Sequence, residues 1–154
     1  MKVNGKSVQP PKPVTVVIPR GDDEYVFTLQ AVTDLSEADR LCPEPEPPFK
    51  MLPGGTQLKD VTNPEYVALH QEWRQRRGHW LIITSLSATE GLEWSKVEYD
   101  KPETWAEYIN ELKAAGFSNI EIGALMDAVT AVNGLSQDKI DEATKRFLAA
   151  AAAQ

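Results

Sequence analysis

Cys42, His70 and His79 are the only side chains in the sequence suited to act as soft metal ligands or as bases near neutral pH. A single cysteine excludes an internal disulfide framework, and also a zinc site built from four cysteines or from two cysteines and two histidines. The two histidines lie nine residues apart in a stretch with helical periodicity. That separation is about 900 degrees of rotation, half a turn off register, so their imidazoles point to nearly opposite faces. They cannot share a metal or a proton relay, and neither stands beside a nucleophile it would activate. His70 falls in the apolar stripe and is expected to be a hydrogen-bonded or half-buried core residue, whereas His79 is expected to face solvent. The sequence therefore predicts no enzyme, with no catalytic residue, metal ligand or cofactor assigned.

Other arrangements that resemble chemical sites have simpler readings. Pro53-Gly54-Gly55-Thr56 has adjacent glycines but no following Lys-Ser/Thr and no preceding strand, so it reads as a turn rather than a phosphate loop. Glu44 and Glu46 lie in a proline-rich segment that would not hold an acid and base pair rigidly. Asp22-Asp23-Glu24 reads as a solvated hairpin tip. Arg74, Arg76 and Arg77, with Gln71, Trp73, Gln75 and Trp80, form the one basic and aromatic concentration. Arginine grips phosphate and tryptophan stacks on bases. Glu65 and Glu72 precede the arginines, however, and the chain carries a net charge of −7, so a charged helix face or a contact with an acidic partner is expected rather than nucleic acid.

The elements that would position these residues follow from proline placement and periodicity. Nine of the eleven prolines precede residue 55, leaving the remainder free for helices. Residues 1–13 read as an extended arm. Residues 14–32 read as a β-hairpin, two β-branched and aromatic runs around a loop of several residues at Pro19–Glu24. A short helix at 34–41 opens on Asp34 and Glu37 as a capping box and stops before Pro43. Residues 43–62 are a Pro/Gly-rich insert of polyproline character followed by a turn, with Phe49, Met51 and Leu52 stranded in it. These three either tuck under the segment or form a partner-binding loop.

Asn63-Pro64 starts a long helix, 63–86, with Tyr66, His70, Trp73, Arg77 and Trp80 at helical spacing. Gly78 within it predicts a close packing contact. Further helices are expected at 102–115, ended by Gly116, and at 118–132, where Ser118 and Glu121 form a second capping box and Asn133-Gly134 a left-handed stop. A last helix starts at Ser136, with Leu135 and Ile140 as a hydrophobic staple, and turns Ile140, Ala143, Phe147 and Leu148 inward. The fold class is α+β: an N-terminal β-hairpin packed on a predominantly helical C-terminal bundle (63–150), in one domain spanning 1–154. The hairpin alone would be marginal and must cover a helix.

The acidity, with a pI near 4.9, is spread along the chain and reads as solubility. No apolar run approaches the roughly 18 residues needed to span a bilayer, and the first 13 residues lack the apolar core of a signal peptide. A reducing cytoplasm is the expected compartment, with no membrane partner.

Several stretches together carry a family likeness: MKVNGKSV with VVIPRG, LCPEPEPPFKMLPGG, NPEYVALHQEWRQRRGHWLIITSLSATEGLEW and ETWAEYINELKAAGFSNIEIGALMDAVTAVNGL. In layout the chain resembles the tail assembly chaperones of long-tailed bacteriophages, small, mostly helical and often acidic proteins. The resemblance implies a non-enzymatic role in the host bacterial cytoplasm, holding a long hydrophobic tape-measure protein soluble while tail-tube subunits polymerise around it. Tape-measure and tail-tube proteins are then the expected partners, and self-association stays open. The alternative is a structural subunit retained in the virion, in the tail or head-tail connector. Phe49, Met51, Leu52, Trp73, Arg77 and Trp80 are the candidate partner-binding residues. Core packing competes with a binding role for the stripe formed by Trp73, Trp80 and Trp105.

Overall fold

Both halves of the chain fold by pairing segments far apart in sequence. The computed structural model describes residues 1–134 and 137–154 and shows an α+β protein with short antiparallel hairpins and five α-helices. Two compact units are woven from alternating segments. The first comprises residues 1–33, 84–92 and 118–154, and the second residues 34–83 and 93–117.

In the first unit the expected extended arm is partly a hairpin, β1 (Lys2–Val3) with β2 (Lys6–Ser7). Asn4 and Gly5 both have positive φ, 51° and 76°, the backbone that a primed two-residue turn requires. The prolines that argued against pairing begin only at Pro10. The main hairpin is β3 (Val14–Arg20) with β4 (Asp23–Leu29), paired from Val14↔Leu29 to Arg20↔Asp23. Its turn is shorter than the expected loop because Gly21, at φ 59°, lets the chain reverse in two residues, and Pro19 stays within the strand. Ile18, Phe27 and Leu29 are buried. They face α4 (Asn119–Asn133), which packs against both strands and buries Ile122, Leu125, Val129 and Val132.

The outer edge of the β4 segment is closed by groups from distant segments. Thr89 Oγ1 accepts from the Thr28 amide and donates to its carbonyl, each at 3.0 Å. The Gln30 amide donates to the Ser85 carbonyl at 3.1 Å, and the Val32 amide to Asn133 Oδ1 at 2.7 Å. Asn133 Nδ2 donates to Ser85 Oγ at 2.7 Å and to the Val129 carbonyl at 2.8 Å. These bonds satisfy edge groups that would otherwise invite another strand. Arg20 reaches Glu121 at 2.7 Å. The Ser118–Glu121 capping box forms as expected, both reciprocal bonds being present. The Ser118 amide it accepts, together with nearby Arg20, holds the Glu121 carboxyl below its ordinary range.

Gly134 is not the left-handed stop expected after Asn133. Its φ is 170°, an extended backbone, and the Asn133 side chain is engaged with Val32, Ser85 and Val129. The final helix, α5 (Gln137–Ala152), was expected to turn Ile140, Ala143, Phe147 and Leu148 inward; all four are exposed, Phe147 at 71%. Periodicity reports that a helix has an apolar face and cannot report what covers it. The expected staple and start at Leu135 and Ser136 fall outside the described residues.

The second unit opens with α1 (Ser36–Leu41). Its predicted capping box does not form: Asp34 accepts from the amide and hydroxyl of Ser36 in a local turn, and these bonds lower the Asp34 pKa. Glu37 turns forward to Arg40 instead of back. Within the Pro/Gly-rich insert, β5 (Phe49–Met51) pairs with β6 (Gln57–Lys59), a hairpin the proline content concealed. Gly54 and Gly55 have φ 95° and 84° at its turn, and Lys50 lies 3.7 Å from Asp60.

The long helix α2 (Pro64–Leu86) runs as predicted. Asn63 caps it, its Oδ1 accepting the Tyr66 amide at 3.1 Å. Residues up to Ile83 belong to the second unit and the last turn to the first. No packing contact explains Gly78, which is exposed with open space where a Cβ would stand.

The helix expected at 102–115 is a 3-10 turn (Pro102–Thr104) followed by α3 (Glu107–Ala114). The amides of Gly116 and Phe117 bond back to Lys113 and Leu112, a Schellman ending that needs the φ of 94° at Gly116. Trp80, Ile83, Val97, Trp105, Tyr108 and Leu112 form this unit's core. Of the four tryptophans, only Trp80 and Trp105 are buried, Trp73 and Trp94 being half-buried.

Candidate partner-binding surface

Residues four and three apart on a helix stand over one another, and α2 uses this spacing to stack unlike rings and a cation. Along its face Tyr66 meets His70 at 5.5 Å between centroids, His70 meets Trp73 at 5.1 Å, and the Arg77 guanidinium lies 5.4 Å from the Trp73 ring centre. Against this ladder the chain from α1 into the insert runs antiparallel as a strap. Asp39 takes two bonds from Arg77, at 3.0 and 3.3 Å. The Cys42 carbonyl accepts Trp73 Nε1 at 2.9 Å, and Glu44 Oε1 lies 2.9 Å from His70 Nε2. Glu44, expected to be held by nothing rigid, is therefore anchored on α2.

The six predicted binding residues occupy three different environments. Trp80 is core, its ring 6.4 Å from that of Trp105. Trp73 and Arg77 are engaged in holding the strap. Phe49 and Met51 stand exposed on one face of the β5–β6 hairpin, at 63% and 66%, with Leu52 exposed beside them; they do not tuck under the insert. Strand alternation places Lys50 on the other face, with its partner Leu58.

His70 and His79 keep separate neighbours, as their spacing requires. His79, expected in solvent, is half-buried beside Tyr108, with ring centroids 5.7 Å apart. Burial pushes its imidazole pKa down and that of the Tyr108 hydroxyl up. Buried Nδ1 has no hydrogen-bond partner among the described residues, which also favours the neutral ring. Unfolded His79 takes up its proton near pH 6.5, whereas folded His79 resists it. Stability should therefore be fully present above about pH 6.5 and fall as the pH drops through the lowered folded value. His79→Phe should flatten this dependence, measured as urea midpoints at about pH 7.5 and 5.5. An equally steep fall in the variant would reject His79 as the cause.

Among the described residues His70 beside Glu44 is the one imidazole–carboxylate pair, and His70 lines an open groove of about 760 Å³ along α2. Glu44 orients the ring, but no hydroxyl or thiol among the described residues is hydrogen-bonded to it. An activated nucleophile needs that contact. Among the described residues no three His, Cys, Asp or Glu side chains converge as a metal site, and no helix is long and apolar enough to cross a membrane. No family model matches the chain, and no curated protein or solved structure matches it significantly.

The strap escaped the sequence reading because its bonds join residues 26 to 38 apart. A trace of it was present: Asp39 and Glu44 bracket Cys42 much as Arg77 and His70 bracket Trp73, in reverse order.

Proposed function

We propose that the protein is a non-enzymatic phage tail assembly chaperone that binds a tape-measure protein and keeps it soluble in the bacterial cytoplasm during tail assembly. The observation that carries this reading is the exposure of large apolar side chains on two elements of an acidic chain. These are Phe49 and Met51 on the β5–β6 hairpin and Phe147 and Leu148 on α5. A holdase needs apolar groups that can repack on varied helices and a charged exterior that keeps the loaded complex dispersed. The layout resemblance supplies the identity of the client.

Co-expression with a tape-measure protein tests the reading. The wild-type chain should hold the client in the soluble fraction. Phe49→Asp with Leu52→Asp should release it while the protein stays folded, since both side chains are already exposed. Unchanged client solubility in the double variant would remove the hairpin from the binding surface. Insoluble client with the wild-type chain would reject the chaperone role.

The alternative, a subunit retained in the tail or head-tail connector, draws on the exposed residues 1–13, since extended segments can wrap a neighbour. Mass spectrometry of purified particles beside infected-cell lysate separates the two: a chaperone is present in the lysate and absent from particles.

A further inference from the structure

The three arginines of the basic run have different fates. Arg76 pairs with Glu72 at 2.8 Å and Arg77 with Asp39 at 3.0 Å, whereas Arg74 has no carboxylate within ion-pair distance among the described residues. Arg74 is exposed and lines the 760 Å³ groove. The helix face of that groove consists of two neighbouring rows at four-residue spacing, Tyr66–His70–Arg74 and Val67–Gln71–Gln75. A furrow between adjacent four-residue ridges is the feature into which a second helix seats a ridge of its own.

The furrow is graded along its length. Val61, Tyr66 and Val67 make its first end apolar, and Gln71, Arg74 and Gln75 make the other polar and positive. It spans about 14 Å, the rise of nine helical residues, so a helix of about three turns would cover it. In a chain with net charge −7, a guanidinium with no ion pair among the described residues, at the opposite end of the furrow from exposed Val61 and Val67, is the complement of an acidic side chain on an apolar helix.

We propose that this furrow on α2 docks an amphipathic helix of a partner protein, whose apolar ridge lies on Val61 and Val67 and whose carboxylate meets Arg74. The proposal rests on the client-binding reading above and places part of that binding on α2, apart from the β5–β6 hairpin. It also gives His70 a second use, since besides holding Glu44 of the strap it forms one wall of the furrow with Tyr66.

The test uses the full-length chain and two fluorescein-labelled synthetic helical peptides with the same leucine ridge, one carrying Glu and the other Gln at the flanking position. Fluorescence anisotropy should show both binding, the Glu peptide about two- to fivefold more tightly, the range of an exposed charge pair. Arg74→Gln should abolish that preference while leaving the Gln peptide unaffected. Val67→Asp should weaken both peptides. Both residues are exposed, so circular dichroism and the urea midpoint should stay at wild-type values.

Retention of the Glu preference by Arg74→Gln, wild-type binding by Val67→Asp, or no binding of either peptide would overturn the proposal. So would a self-associated form of the chain that Arg74→Gln dissociates without altering peptide binding, since the occupant would then be a second copy. Client co-expression separates this proposal from the reading it rests on. A client kept soluble by the wild type and equally by Arg74→Gln and Val67→Asp removes the furrow and leaves the chaperone. A client left insoluble by a wild-type chain whose furrow binds the peptides removes the chaperone and leaves the furrow.

Discussion

Trp105→Ala is expected to destabilise the protein by about 3–5 kcal/mol, the range for removing a large aromatic side chain from a core that cannot close around the space. Trp105 is 0% exposed, rests beside Trp80, and donates Nε1 to the Tyr99 carbonyl at 3.1 Å. Tyr99 in turn donates its hydroxyl to the Ile83 carbonyl at 3.1 Å, so the indole also steadies a loop pinned to α2. Trp105→Phe separates these contributions: it keeps most of the apolar surface and loses the hydrogen bond, for about 1 kcal/mol plus a smaller packing loss. Urea unfolding followed by circular dichroism measures both. A loss below about 1 kcal/mol for the alanine variant would mean that the ring is not core. Because Trp80 shares the contact, Trp80→Ala and Trp105→Ala together should cost less than their sum.

Asn133 should be the most sensitive polar position. Its amide serves three groups at once, and among them Ser85 is 0% exposed. Asn133→Ala leaves the Val32 amide and the Ser85 hydroxyl without these partners, at about 1–3 kcal/mol for a buried group so stranded, and a total of about 2–4 kcal/mol is expected. Ser85→Ala in the Asn133→Ala background should recover part of the loss, since the hydroxyl then needs no partner. Purely additive costs in that double-mutant cycle would show that the two side chains act independently. Asn133→Asp keeps an acceptor for Val32 and loses the donor to both Ser85 Oγ and the Val129 carbonyl, but the Ser85 hydroxyl can donate to the new carboxylate, so it should fall between wild type and alanine.

Features encoded within a few residues were legible in the sequence. Asn63 and Pro64 announce the start of α2, Ser118 and Glu121 the start of α4, and the alternation of β3 and β4 reveals which face is buried. What escaped depends on partners distant in the chain. Glu44 and His70 are both plain in the sequence, but only the fold brings them to 2.9 Å. The β5–β6 hairpin was hidden because each strand has three residues, too few for alternation to show beside four nearby prolines. The box at Asp34–Glu37 failed because Arg40, one turn on, offered Glu37 a charged partner in place of a neutral amide. The candidate site was legible as a composition on α2. Its division into core, strap and free surface was not, because Trp73, Arg77 and Trp80 share residue types and spacing with residues that could do any of the three.

The interleaving of the two units bears on the order in which the chain can acquire structure as it leaves the ribosome. The second unit needs nothing beyond Phe117, whereas the β3–β4 hairpin finds α4 only after residues 119–133 have emerged. The ties from Arg20 to Glu121 and from Val32 to Asn133 each span 101 residues. Until then the hairpin is a two-stranded ribbon with little stability of its own, and Ile18, Phe27 and Leu29 have no apolar cover from that helix. A segment synthesised before α4 is thus secured only once α4 is made. A ribosome pausing between residues 33 and 84, before Ser85 and Thr89 are made, would hold out a nascent chain with an unguarded sheet edge, open to pairing with any extended strand nearby.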